Sequence, residues 1–248
     1  SDPQKDGTQT IGDNAIEMDK NIASGDAGWN TLNTNGYVDD ANIVVQNCMV
    51  GSDGFTGAHI SSYNGVTFKN CDFESVFNDP SSNAIAWGAS FKLLYCKNIK
   101  FIQNNFRGSQ PTMLWLQECQ NALFMNNVFW NTNTFVPAEG SKAVVPSAVR
   151  LVSQYANEID NIGFYYNTFY FANNDINAPW AKYNFFNQYL AYTNASQANI
   201  GKYGSNIYFK YNNCYSYDKD CPGMYDIVGS ATGGGADMTY TTVTATSD

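Results

Sequence analysis

The sequence is short of charged residues and of histidine. Of the 248 residues 14% are charged, 13 basic against 22 acidic, and only one is His. The net charge of −9 repels nucleic acid and anionic membrane surfaces, so we expect no nucleic-acid partner. No apolar run reaches the ~20 residues of a membrane-spanning helix, and no basic-then-apolar leader precedes Ser1. The sequence therefore predicts a soluble chain without membrane insertion, any signal peptide having been removed.

Aromatic and small polar residues take the place of the missing charges. Aromatic residues make up 15% of the chain, and Asn, Ser, Thr and Gly fill the polar positions. This profile is typical of extracellular β proteins rather than cytosolic helical ones, so we expect an extracellular or cell-surface location. A chain of 248 residues can bury a sizeable core as one domain.

One template repeats six times along the chain. Each copy has apolar residues at its first, third and eighth positions and usually Asn or Cys at the sixth. The copies occupy 43–50, 66–73, 99–106, 122–129, 162–169 and 207–214, and their starts are separated by 23, 33, 23, 40 and 45 residues. Asn stands immediately before five of the six copies, and Gly65 before the other. Alternating apolar residues indicate strands, and a unit of fixed length with insertions indicates stacked coils.

Stacked coils also explain why Asn is mixed with large apolar residues. In a parallel solenoid, equivalent residues of neighbouring coils lie ~4.8 Å apart, so apolar residues form inner columns and Asn residues form ladders. Asn tolerates the left-handed backbone of a sharp corner, and its amide can bond to the coils above and below. The predicted corner ladder consists of Cys48, Cys71, Asn104, Asn127, Asn167 and Asn212.

The repeats resemble those of the pectate-lyase-like superfamily of right-handed parallel β-helices, over roughly residues 38–214. In that superfamily such a unit supplies the second and third sheets of each coil. The resemblance implies an all-β, single-domain right-handed parallel β-helix of about six to eight coils with long inter-strand loops. We predict an N-terminal cap at 1–36, the β-helix at 37–223 and a C-terminal edge strand or linker at 224–248. Helices are expected near "NAIEMDKNIA" in the cap and "APWAKYNFFNQYLAYTNAS" at 178–196.

A third strand precedes each repeat. Counting back six residues from three copies reaches Ile60, Leu93 and Leu116, and "AVRLV" holds the matching Leu151 in the fifth unit. Side chains alternate across a strand, so the residue before each of these points outward. These outward residues are His59, Lys92, Trp115 and Arg150, which brings the single His and one of the two Arg into one row. At strand spacing the row spans ~15 Å.

In the resembling enzymes, this first sheet and the loops beside it form a polysaccharide groove. The longest loops of this chain, 74–90 and 130–148, carry aromatic residues that could stack on sugars, and other loops carry acids. We therefore predict a polysaccharide as partner and Trp115 as a sugar platform. The other candidate substrate-binding residues are Phe77, Trp87, Trp130, Phe135, Asp53, Asp79, Glu118 and Glu139.

The residue types in the row suit cleavage of uronate polysaccharides by β-elimination. This reaction needs a base for the proton next to the carboxylate, and a cation for the charge that develops there. The sequence predicts Lys92 or His59 as the base and Arg150 as the carboxylate ligand. The resembling enzymes commonly hold calcium in an Asp cluster. No such cluster falls on this sheet, so we expect no metal and no other cofactor.

Two other functions remain open at this point. A non-catalytic adhesin or structural module would use the row for binding only, and polar residues are also ordinary at exposed positions. A glycoside hydrolase would need two carboxylates across the scissile bond. Asp39, Asp40 and His59 follow the order of β-helical polygalacturonase motifs, but Ala58 separates the expected Gly-His pair and no Arg-x-Lys motif exists. Whether the protein is an enzyme stays undecided by sequence.

The cysteines are best explained by packing. Cys48 and Cys71 occupy one repeat position, and Cys96 and Cys119 occupy another, which predicts stacked thiols inside the solenoid. Cys214 and Cys221 close a short loop, where a disulfide is one of two alternatives. No Cys and His residues have the spacing of a zinc site.

Overall fold

Short parallel strands form three sheets around one axis. The computed structural model describes residues 16–19, 42–52, 56–75, 89–108, 112–131, 147–153, 159–171, 184–191, 205–216, 223–230 and 244–245. The first sheet contains β1 (Ile16–Asp19), β4 (Thr56–Ser61), β7 (Ala89–Leu94), β10 (Thr112–Gln117), β13 (Ser147–Ser153), β16 (Asn184–Ala191) and β19 (Gly223–Ser230). The second contains β2 (Ile43–Gln46), β5 (Val66–Lys69), β8 (Lys97–Ile102), β11 (Gln120–Met125), β14 (Asp160–Tyr165), β17 (Ser205–Lys210) and β20 (Thr244–Ala245). The third contains β3 (Met49–Ser52), β6 (Asp72–Ser75), β9 (Asn105–Gly108), β12 (Val128–Asn131), β15 (Thr168–Phe171) and β18 (Asn213–Ser216).

Each coil takes one strand from each sheet in turn. The chain passes from β1 to β2 to β3 and then returns to the first sheet at β4, and this order continues to β18. Six complete coils result, and β19 and β20 begin a seventh. Neighbouring strands are parallel, as in β7 with β10 and β8 with β11. The predicted parallel β-helix of about six to eight coils is confirmed, and the described residues contain no helix.

Columns of phenylalanine fill the interior. Phe68, Phe101, Phe124, Phe164 and Phe209 stack along the second sheet with ring centroids 4.7 to 5.0 Å apart. Phe73, Phe106, Phe129 and Phe169 form a second stack along the third sheet. The ring spacing follows from the strand spacing, because each Phe occupies the same register position as the Phe one coil away. Burial of these rings is therefore the main stabilising contribution of the repeat.

The predicted amide ladder lies at the corner between the second and third sheets. It runs through Cys71, Asn104, Asn127, Asn167 and Asn212. At its centre, the side-chain N–H of Asn127 donates to the carbonyl oxygen of Phe101 and to Asn167 Oδ1, both at 3.0 Å. Its Oδ1 accepts the backbone N–H of Asn104 at 2.9 Å. The buried amide is thus satisfied by the coils on both sides.

The left-handed residue of this corner lies one position before the ladder. The prediction that the ladder residues themselves adopt this backbone is therefore wrong. At this corner, the left-handed residues, with φ between 54 and 57°, are Asn47, Asn70, Gln103, Asn126, Tyr166 and Tyr211. The ladder side chain must point inward to reach its neighbours, so the sharp turn falls on the residue whose side chain points to solvent.

A second left-handed corner leads into the second sheet. It contains the Asn residues that precede the repeats, and Gly65, with φ 86°, takes that position in the second coil. Their side chains also bond between coils: Asn161 Nδ2 donates to Asn121 Oδ1 at 3.0 Å. Gly65 has no side chain, so the neighbouring Asn64 provides the acceptor in its place. Asn98 Nδ2 of the third coil donates to Asn64 Oδ1 at 2.6 Å.

Both helix predictions are wrong. Ile16–Asp19, inside "NAIEMDKNIA", is strand β1 and pairs with β4. Asn184–Ala191, inside the segment 178–196, is strand β16 and pairs with β13 and β19. β16 lies between two parallel strands and pairs along both edges, and β1 pairs along one edge, so ladder pairing outweighs the local helix preference of each segment.

The described strands cross the boundaries expected for the ends of the β-helix. β1 lies within the segment 1–36 and belongs to the first sheet. β19 begins at Gly223 and continues as an edge strand of the same sheet to Ser230, while β20 pairs with β17. Among the residues that the structure describes there is no apolar helix of membrane-spanning length.

Candidate functional site

Four residues predicted from the repeat are direct neighbours on the first sheet. His59 on β4 is the register partner of Lys92 on β7, Lys92 of Trp115 on β10, and Trp115 of Arg150 on β13. The predicted alignment is confirmed, and these four residues are called the cationic row below. Their inward neighbours Ile60, Leu93, Leu116 and Leu151 are all buried in the core.

The register extends the cationic row in both directions. Glu17 on β1 pairs with His59, and Asn187 on β16 followed by Asp226 on β19 continue beyond Arg150. The sequence pattern did not predict these three positions as part of the row, because their segments were interpreted as helix or as linker. The aromatic residues of "NFFNQYLA", a type that favours strands, were the available signal for β16.

One half of the cationic row is buried, and the other half is partly open to solvent. Trp115 is 2% exposed and Arg150 is 3% exposed. His59 and Lys92 are partly exposed, so solvent reaches the row at their end. The predicted use of Trp115 as a sugar platform is wrong for this arrangement, because stacking on a sugar requires an exposed ring face. Direct binding of a substrate carboxylate by Arg150 meets the same obstacle.

Trp115 instead lies between two cations. The Lys92 Nζ is 5.4 Å from the centroid of the indole ring, and the Arg150 Cζ is 4.8 Å from it. Because Lys92 and Arg150 belong to the strands on either side of β10, they approach the ring from opposite neighbours. Each contact stabilises a buried cation by about 1 to 2 kcal/mol through the ring quadrupole. The indole therefore offsets part of the cost of burying two like charges.

The environment of Lys92 makes its ammonium group more acidic than that of an ordinary lysine. Burial, followed in size by the positive charge of Arg150, lowers the pKa of Lys92 from 10.5 to about 7. Desolvation disfavours the ammonium form, and a second cation disfavours it further. At neutral pH a substantial fraction of the molecules therefore carries an uncharged amine that can accept a proton.

A hydrogen-bond chain holds the indole in position. Trp115 Nε1 donates to Gln117 Oε1 at 3.4 Å, and Gln117 Nε2 donates to the hydroxyl of Tyr95 at 2.8 Å. All three side chains are buried. Tyr95 occupies the left-handed turn after β7, with φ 55°, so its ring leaves the sheet at the corner rather than on a strand face. The chain orients Trp115 and thereby the two cations in contact with it.

A buried hydroxyl lies on the same face as Lys92. Ser90 precedes Lys92 by two residues, so both point outward from β7. Ser90 is buried, and its Oγ makes no hydrogen bond within the described part of the chain. Buried hydroxyls usually have partners, so Ser90 is a candidate contact for a bound molecule.

Two further predicted site residues are not members of the cationic row. Glu118 is buried in the left-handed turn after β10, with φ 50°, at the position equivalent to Tyr95. Trp130 lies on β12 of the third sheet, 47% exposed, and contacts the edge of Tyr170. The remaining candidates lie outside the described residues: Asp53, Phe77, Asp79, Trp87, Phe135 and Glu139.

Four cysteines stack in two pairs, Cys96 with Cys119 and Cys48 with Cys71, but Cys48 is exposed rather than inside the solenoid as predicted. Cys96 Sγ donates to the carbonyl oxygen of Ile60, and Cys119 Sγ donates to that of Leu93, one coil apart. Burial raises the pKa of the Cys119 thiol well above its usual value, and that of Cys71 to a smaller degree, so both stay protonated. In the segments that the structure describes, no group of three potential ligands is placed to hold a metal ion. Cys221 lies outside them, so its pairing with Cys214 stays a prediction.

Comparison with known proteins supports the architecture. Residues 29–145 match the family model for a right-handed β-helix region. Neither a search of curated proteins nor a search of solved structures found a match. The matched segment begins after β1 and contains β2 to β12, which carry three members of the cationic row. Together with the three parallel sheets, this match identifies the protein as a right-handed parallel β-helix.

Proposed function

We propose that the protein binds an acidic polysaccharide along the first sheet and cleaves it by β-elimination, with Lys92 as the base. The observation that carries this proposal is the lowered pKa of Lys92, about 7, at the partly exposed end of the cationic row. A neutral amine in an otherwise cationic setting attracts a uronate and can still take its proton.

The reaction would proceed as follows. The uncharged Nζ of Lys92 takes the proton from the carbon next to the uronate carboxylate. The electron pair of that C–H bond becomes the new C=C bond, while the C–O bond to the neighbouring sugar breaks and its electron pair leaves with the oxygen. His59, the adjacent partly exposed member of the row, is positioned to protonate the leaving oxygen.

Arg150 takes a different role in this proposal from the one predicted by sequence. Because it is buried behind Trp115, it acts through its charge rather than by contact with the carboxylate. Its charge adds to the effect of burial in lowering the pKa of Lys92, and it favours the anion that develops on the substrate. Secretion and cell-surface attachment fit this substrate class and remain part of the proposal.

The test uses the full chain and a panel of uronate polysaccharides that includes polygalacturonate and alginate, with ultraviolet absorbance to detect the unsaturated product. Lys92→Arg keeps a cation but cannot supply a neutral base, so the rate should fall roughly 100- to 10,000-fold. Lys100→Arg is the matched control, because Lys100 is exposed on the second sheet. Absence of any unsaturated product from the unaltered chain would reject the proposal.

The burial of Trp115 and Arg150 favours a second candidate, a non-catalytic glycan-binding module. In that case the covered part of the row has a structural role, and only the His59 and Lys92 end contacts a glycan. Affinity electrophoresis separates the two functions: binding of a uronate polysaccharide without turnover, weakened in Lys92→Ala, supports the module. Product formation that disappears in Lys92→Arg supports the enzyme.

A further inference from the structure

We propose that the third sheet carries a second glycan-binding surface, which takes a neutral linear polysaccharide. The surface, called the aromatic strip below, consists of Trp130, Tyr166, Tyr170, Tyr211 and Tyr215. It lies on a different sheet from the cationic row and does not depend on the function proposed for that row.

The strip follows the axis of the β-helix. Trp130, Tyr170 and Tyr215 are register partners on β12, β15 and β18, and they point outward because the Phe and Cys residues before them point inward. Successive rings are therefore one strand spacing apart, about 4.8 Å. Trp130 and Tyr170 contact each other edge to face with centroids 5.4 Å apart, which fixes their relative orientation. A linear polymer lying along the axis would meet all three rings.

The strip is exposed where aromatic rings are usually covered. Trp130, Tyr211 and Tyr215 have exposed fractions of 47, 60 and 55%, and Tyr166 is similarly open. An aromatic ring in solvent forgoes the favourable free energy of burial. A large patch of exposed rings therefore marks an interaction surface. By contrast, the one Trp of the cationic row, Trp115, is almost fully buried. Among the residues whose exposure the structure describes, the exposed rings lie on the fourth, fifth and sixth coils.

Two tyrosines occupy a position that favours Asn. In the first four coils, the left-handed turn before the amide ladder holds Asn47, Asn70, Gln103 and Asn126. The fifth and sixth coils have Tyr166 and Tyr211 there, with φ 56 and 57°. A bulky residue in this backbone costs roughly 1 to 2 kcal/mol, and Asn is among the few residues that adopt it readily. The two rings stack with centroids 5.1 Å apart at 14°, which keeps them together at the edge of the third sheet.

The neighbours of the strip favour a sugar over an anion or an apolar protein. The outward partners beside Trp130, Tyr170 and Tyr215 on the third sheet are Val128, Thr168 and Asn213, none of which is charged. The charged outward residues of this sheet, Asp72, Glu74 and Arg107, lie on the second and third coils, and Arg107 borders one end of the strip as the register neighbour of Trp130. An uncharged surface that combines ring faces with hydroxyl and amide groups complements an uncharged polyhydroxylated chain.

The experiment measures retention of the full chain by cellulose, xylan, glucomannan and β-1,3-glucan in affinity electrophoresis and pull-down. The informative variant is Tyr166→Asn with Tyr211→Asn, which restores the residue type used in other coils. We expect affinity to fall about tenfold or more while the unfolding midpoint stays the same or rises. Trp130→Ala with Tyr215→Ala should remove binding altogether.

The matched control is Glu74→Ala, on the same outward row but two coils from Trp130, and it should leave retention unchanged. Lys92→Arg should also bind normally, so failure of this proposal is distinguishable from failure of the elimination reaction. The proposal is overturned if the unaltered chain binds none of the four polysaccharides. It is equally overturned if light scattering shows a dimer that the strip variants abolish, because the strip would then be an interface between copies of the chain.

Discussion

The outward faces of the first and third sheets have the same strand geometry and opposite surroundings. On the first sheet, outward Trp115 and Arg150 are 2 and 3% exposed, whereas outward Trp130 on the third sheet is 47% exposed. Both tryptophans occupy equivalent alternating positions on strands of the fourth coil. The comparison shows that an outward-pointing side chain in a β-helix can be either buried or exposed. Its burial depends on whether other parts of the chain pack over that face of the sheet.

Burial changes the chemistry of each face. Cations that are desolvated on the first sheet influence each other, and the pKa of Lys92 falls to about 7. Rings that remain in solvent on the third sheet keep their faces available for a ligand. The first sheet is therefore suited to proton transfer and the third to stacking.

The largest expected difference between the two faces is in stability. Trp115→Ala should lower the free energy of unfolding by about 3 to 5 kcal/mol, because it leaves a buried cavity and removes the ring between two cations. Trp130→Ala should change it by about 0.5 kcal/mol, because the side chain is largely in solvent. Chemical denaturation of both variants measures the two values. Equal losses would contradict the comparison.

The next largest effect is the pH dependence of stability due to Lys92. Its folded pKa, about 7, is below its ordinary value of 10.5, so the unfolded chain binds the proton more readily between these values. Stability of the unaltered chain therefore rises with pH across this range. Lys92→Met should be the more stable protein below pH 7, by a few kcal/mol.

This advantage should decline as the pH rises and vanish above 10.5, where the lysine is neutral in both states. Urea denaturation across the pH range measures the change. Lys100→Met, on the exposed face of the second sheet, is the control and should show no such trend. A constant difference for Lys92→Met would mean that Lys92 is not desolvated.

Arg150 offers a sharper test of the coupling within the cationic row. Arg150→Met removes the second cause of the lowered pKa, so the pKa of Lys92 should rise while remaining below 10.5 because of burial. The pH dependence of Lys92 acylation, followed by mass spectrometry, reports this value without requiring activity. The other arginine, Arg107, is exposed on the third sheet, and Arg107→Met should leave the titration unchanged.

The smallest effect concerns the hydrogen-bond chain behind Trp115. Tyr95→Phe removes the acceptor of Gln117 Nε2, so it should lower the free energy of unfolding by about 1 kcal/mol. Tyr215→Phe, on the exposed face, should have no measurable effect. Thermal unfolding of the two variants makes the comparison. A loss in Tyr215→Phe would indicate that its hydroxyl has a structural partner.

Features that depend on repetition were predictable from the sequence. The template placed Asn104, Asn127 and Asn167 at one position, and parallel stacking then requires their amides to meet. The same counting aligned Lys92 with Trp115 and Arg150 across three strands. These predictions succeeded because equivalent positions in a solenoid become spatial neighbours whatever the length of the intervening loops.

Features without a repeated pattern were missed. The segments of β1 and β16 were interpreted as helical from local composition, although their partners are strands far away in sequence. The turn residue at the ladder corner was misplaced by one position, because the template marks the inward side chain and not the strained backbone. Burial of Trp115 was also missed, since strand alternation distinguishes inward from outward but not covered from exposed.

The sequence by itself determined the coil, its Phe columns, its amide ladder and the order of the cationic row, since each follows from a period and the ~4.8 Å strand spacing. Only the tertiary structure decided which outward face is covered. That coverage lowers the pKa of Lys92, removes Trp115 as a sugar platform and leaves the tyrosines of the third sheet in solvent. The physical reason is that desolvation depends on all the residues packed over a side chain. A local sequence pattern does not identify those residues.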